Sequence, residues 1–86
     1  MNIDEVKRTI RRGSEAAAQA KSTLEQAGLE TASSLRLVQL TVHDSQNDDV
    51  EHALKILGTM DGEITRALRR IDAAVEHADA YLNALG

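Results

Sequence analysis

Residues 50–85 read VEHALKILGTMDGEITRALRRIDAAVEHADAYLNAL. Apolar side chains fall at Val50, Leu54, Leu57, Ile64, Leu68, Ile71, Val75, Ala78, Leu82 and Leu85. Past Leu54 the steps alternate between three and four, and Asp61 is the one polar slot. That repeat draws one narrow stripe along a helix, so the stretch predicts a long amphipathic helix with a single seam. The rest of the chain reads as whatever covers the seam.

Upstream the same spacing recurs at Ile3, Val6, Ile10, Gly13, Ala17, Ala20, Leu24, Ala27, Thr31, Leu35, Val38 and Val42. Asn2 is a good N-cap, and Glu5 three residues on can complete a capping box. A helix from residue 3 to about 42 follows, roughly 60 Å long at about 1.5 Å per residue. Gly28 costs about 1 kcal/mol against Ala in a helix interior. The stripe keeps its phase across Gly28, which favours one unbroken helix; a break there, giving three helices, is the alternative. Residues 43–49, HDSQNDD, carry no apolar side chain and form the turn. Asp48 with Glu51 makes a second capping box, with Ser45 or Asn47 as alternative caps. The second helix then covers about 48–84.

So short a turn makes the helices antiparallel. Centred near residue 46, it brings together residues whose numbers add to about 92. Val42 then faces Val50, Leu35 faces Leu57, Leu24 faces Leu68 and Ala17 faces Val75. Thr31 lands opposite Asp61 with Ser34 nearby, a polar layer that would fix register as buried polar groups do in paired helices. Lys7, Arg8, Arg11 and Arg12 lie beside Asp72, Glu76 and Asp79, which predicts salt bridges between the helices. The fold class expected is all-α: one 1–86 domain, an antiparallel two-helix hairpin, pairing into a four-helix bundle.

Composition narrows the function classes. The 86 residues include no Cys, no Pro, no Trp and one aromatic, Tyr81. Disulfides and thiolate metal sites are excluded, and so are the stacking platforms of single-strand nucleic-acid readers. A net charge of −4 disfavours a nucleic-acid partner. The longest apolar run is too short to span a membrane. The acidic opening Asn2-Ile3-Asp4-Glu5 has no hydrophobic signal region, so a cytoplasmic product is expected, with export only by a route without a cleaved signal.

His43, Asp44, Asp48, Asp49, Glu51 and His52 cluster at the turn, and His with carboxylates can bind zinc or manganese. Their spacing matches no ligand motif and lacks the alternating acids of a calcium loop. A polar turn whose acids cap a helix accounts for them. Gly58 and Gly62 project away from the seam and read as a solvent-facing soft spot. His77 and Tyr81 are one turn apart, but a thin hairpin offers no pocket for acid–base work. The expectation is a non-enzymatic protein with no cofactor and no metal.

Two helices cover one side of each other, and ordering about 80 residues costs on the order of 100 kcal/mol of conformational entropy. One Ala-rich seam is thin compensation. Apolar residues off the seam, at Leu29, Leu37, Leu40, Ile56, Met60 and Tyr81, predict intermolecular contact. The expected partner is a second copy, giving a homodimer, or a second helical protein.

The opening Ile3-Asp4-Glu5-Val6, the run Ala16-Ala17-Ala18-Gln19-Ala20, the polar turn near Ser45 and the closing Ala78-Asp79-Ala80-Tyr81-Leu82 extend over nearly the whole chain. Together they resemble small helical-hairpin proteins of actinobacteria, among them the hairpins that precede polymorphic toxin domains. In size the chain is similar to the WXG-type substrates of type VII secretion. It lacks their tryptophan turn and the acidic residue four after the tyrosine. The resemblance implies a helical partner-binding role, as a toxin adaptor or secretion-associated hairpin that heterodimerises with another chain.

Overall fold

The computed structural model describes residues 2–86. They form two helices, α1 over Ile3–Val42 and α2 over Asp48–Leu85, joined by a turn at 43–47. α1 runs through Gly28 without interruption. The helices fold back into an antiparallel hairpin 63 × 17 × 14 Å across. Its radius of gyration is 19.2 Å, where a compact chain of this length has about 12 Å. The molecule is a rod two helices thick.

The ends are held by side chains that satisfy helix amides left without intrahelical partners. Asn2 Oδ1 accepts the Glu5 N–H at 2.8 Å. At the second helix Asn47, not Asp48, is the cap: its Oδ1 accepts from the amides of Asp49 at 2.8 Å and Val50 at 3.4 Å. Asp48 becomes the first helical residue, and with Asp49 and Glu51 it sits at the positive end of the helix dipole. Ser45 serves the turn, accepting the Asn47 N–H at 3.2 Å.

The half-buried positions of the two helices define the real seam. On α1 it runs Lys7, Ile10, Ser14, Ala17, Lys21, Leu24, Gly28, Thr31, Leu35, Val38 and Val42, in steps of three and four, with Val6 and Ala27 half-buried beside it. Thr31 is the one buried residue among those described, at 8% exposure. On α2 it follows the apolar positions read from the sequence, with Gly62 and Ala67 half-buried beside them. Taken level by level, the residue numbers add to 92, from Val42 with Val50 down to Lys7 with Leu85.

This corrects the α1 stripe at several places. Gly13 and Ala20 are exposed, and Ser14 and Lys21 take the seam positions beside them. Hydrophobicity pointed to the wrong neighbour because strict heptad spacing, not polarity, decides what faces α2. Ile3 is exposed because it lies one turn beyond the level of Leu85. Gly28 joins the seam, where a Cβ would stand 3.4 Å from Ile64 Cγ2.

The polar layer is also corrected. Asp61 and Ser34 are exposed, and no hydrogen bond joins either to Thr31 among the described residues. A seam only two helices wide is open on both sides. A carboxylate at Asp61 can therefore turn out to water while its backbone stays in register. Gly62, next to it, is half-buried instead.

Gly58 has open space around the position of a Cβ. Gly58→Ala should therefore add helix propensity without a clash, about 1 kcal/mol. For a chain of this size the expected rise in Tm is about 4–8 °C by circular dichroism. An unchanged or lower Tm would mean that the glycine serves a contact outside the chain.

Candidate interaction surface

The hairpin has two flanks, and they differ in chemistry. On α1, one flank holds the residues just before the seam positions Lys7, Ser14, Lys21, Gly28 and Leu35. In an antiparallel pair it shares a side with the α2 residues just before Leu54, Asp61, Leu68, Val75 and Leu82. Level by level this side carries Val6 with Tyr81, Gly13 with Ala74, and Ala20 with Ala67. Nearer the turn come Ala27 with Met60 and Ser34 with Ala53. None of these residues is charged.

Two shallow grooves lie on that side. Gly13 and Ala74 share one with the seam residues Ile10, Ser14, Ala17, Val75 and Ala78. Met60 and Ala67 share the other with Leu24 and Ile64, with Glu63 at its rim. On the floor of the first, Ser14 Oγ is buried and has no hydrogen-bond partner among the described residues. By contrast, Thr9, Thr23 and Thr65 each donate to a carbonyl one turn back.

The opposite flank is polar. Lys21 starts from a seam position and reaches across to Asp72 at 2.8 Å. Hydrogen bonding to Asp72 is the main cause that raises the Lys21 ammonium above its ordinary value of 10.5, and the Asp72 and Glu25 charges add to it. Lys7 likewise leaves the seam to donate to the Gly86 carbonyl at 2.6 Å. Long aliphatic stems let both lysines cover the seam while their ammonium groups stay in water.

The predicted ladder of Lys7, Arg8, Arg11 and Arg12 with Asp72, Glu76 and Asp79 is not formed among the described residues. Heptad phase explains it for Arg8 and Arg12. Arg8 and Arg12 lie on the outer surface of α1, where with Glu5 and Thr9 they line a shallow polar depression. Asp72 is already engaged by Lys21.

No family model, curated protein or solved structure matches the chain.

All six residues singled out for contact are exposed, from 41% at Met60 to 68% at Leu29. They do not form one patch. Met60 and Tyr81 belong to the uncharged flank, and Leu37 and Ile56 lie further round on the same side, at nearly one level. Leu40 points away from α2, and Leu29 lies on the side of the polar flank. Met60, Ala67, Ala74 and Tyr81 recur every seven residues, so the α2 part of this flank is legible in the sequence; that Gly13, Ala20 and Ala27 of α1 share the side is not, because only the phase of the seam places them there.

The turn residues sit in the open. His43 Nε2 lies 3.2 Å from Asp44 Oδ2, and its Nδ1 is 3.2 Å from the Leu40 carbonyl oxygen. Among the described residues, no three His, Asp or Glu side chains are grouped to hold a metal ion. No described helix is long and apolar enough to cross a membrane.

An exposed ion pair contributes little to stability, whereas Lys21 occupies a level opposite Ile71. Lys21→Leu should raise Tm at pH 7. Because the Lys21 ammonium is held above its ordinary value, the pair's contribution is present below about pH 10.5 and is lost as pH climbs through the raised value. Thermal melts between pH 8 and 12 should therefore show a smaller alkaline loss for Lys21→Leu than for the wild-type chain.

Proposed function

We propose that the chain is a non-enzymatic helical interaction module that acts by self-association, two hairpins packing as a four-helix bundle. One observation carries the reading. Among the described residues no apolar side chain is fully buried, while seven large apolar side chains stand exposed. Helices gain most of their stability in proteins by burying an apolar face, and a second hairpin supplies the layer this one lacks.

A second reading is favoured by Leu29 and Leu40. Both lie off the uncharged side and would stay uncovered when two copies meet there. A different helical chain bound on that outer surface would cover them, in keeping with the adaptor or secretion-associated role that the resemblance implies.

Light scattering after size exclusion, across a dilution series, tests the first reading. The expected species at tens of micromolar is twice the 9.3 kDa chain mass. Leu37→Asp and Tyr81→Asp should each convert it to monomer with helical circular dichroism retained. A folded monomer at every concentration would overturn self-association and send the search to a heterologous partner.

A further inference from the structure

The exposed area of the chain is 6593 Å². A compact monomer of 9.3 kDa exposes about 5000 Å². The excess, roughly 1600 Å², is more than the ~800 Å² that each partner contributes to a standard stable interface. The uncharged flank is the side of the hairpin where such an area can be covered with least charge removed from water, Glu63 standing only at its rim.

Charge then orients the occupant. The half of the rod away from the turn, residues 2–22 and 70–86, carries six basic and six acidic side chains. The half that includes the turn, residues 23–69, carries eight acidic and four basic ones, a net −4. Arg8, Arg11 and Arg12 in the neutral half have no salt-bridge partner among the described residues. Two copies with their turns at the same end would bring −4 against −4. Turns at opposite ends lay each acidic half along a neutral half and avoid that repulsion.

Resting on the self-association reading above, we propose that a second copy of the chain docks on the uncharged flank, between Val6 with Tyr81 at one end and Ser34 with Ala53 at the other, with the two turns at opposite ends of the dimer. The two-fold axis crosses the rods near the level of Leu24 and Leu68, and each helix lies on its own counterpart. Met60 then meets the partner's Ala74, and Tyr81 meets the partner's Ala53. Bulky side chains fall on small ones, the arrangement that close helix packing requires.

Two residues of α1 separate the flanks cleanly. Ala20 lies on the uncharged flank and Ala18 on the polar one, and both are exposed. Ala20→Glu and Ala67→Glu should weaken the dimer by about 100-fold or more, because each would bury an unpaired carboxylate. Ala18→Glu should change the dissociation constant by less than about 3-fold, as surface substitutions do. Glu is a good helix former, so all three variants should keep their helical spectrum. A dimer that survives Ala20→Glu and Ala67→Glu but is broken by Leu29→Asp or Leu40→Asp would overturn this face and leave self-association standing. A wild-type monomer would overturn both.

Orientation is read separately. The chain has no cysteine, so Gln46→Cys places one spin label on each turn. Double electron–electron resonance should give a separation of about 60 Å, close to the length of a helix of 40 residues. A separation under about 35 Å, with the face variants behaving as expected, would keep the face and overturn the opposed turns.

Discussion

Two helices can touch along only one line, and almost every feature of this molecule follows from that constraint. Each level of the seam holds one residue from each helix, and nothing closes it from above or below. Apolar side chains at those levels are therefore covered on one side only. Leu24, Leu35, Leu57 and Leu68 remain half-buried. Each gains only part of the roughly 25 cal/mol per Å² that burial can provide. Thr31 is the exception, buried beside the level where Gly28 brings α1 against Ile64.

The same open geometry explains why polar residues occupy the seam without partners of the kind a closed core demands. Lys7 and Lys21 start there and reach water at its edge, one on the Gly86 carbonyl and the other on Asp72. Asp61 needs no answering group because its carboxylate never leaves solvent. In a wider core each of these would carry a large desolvation cost. Here they cost little and contribute little, so register rests on the apolar levels and on the turn.

What remains is a surface sorted by charge. One flank holds the Lys21–Asp72 ion pair; along the other, the residues beside the seam are uncharged from Val6 and Tyr81 to Ser34 and Ala53. Ser14 leaves an unpaired hydroxyl on the floor of the groove there, the one buried polar side-chain atom without a partner among the described residues. An uncharged side with shallow grooves suits the broad face of another helix pair better than it suits a small molecule, which needs a concave, enclosing site.

Helix content, the turn and the antiparallel register were legible in the amino-acid order itself. The three-and-four spacing from Val50 to Leu85, the apolar gap at residues 43–49 and the lack of proline are local signals, and backbone geometry translates them directly. Asn2 as a cap was legible for the same reason. Only the tertiary structure decided which of two neighbours faces the partner helix: Ser14 over Gly13, Lys21 over Ala20, Asn47 over Asp48 as the second cap. It also decided that Asp61 turns outward, that Asp72 pairs with Lys21 and not with the arginines, and that Leu37, Ile56, Met60 and Tyr81 share a side while Leu29 and Leu40 do not. Those outcomes depend on the phase of each helix about its own axis. Hydrophobicity along a chain with few large apolar residues constrains that phase loosely, and contact with a second helix sets it.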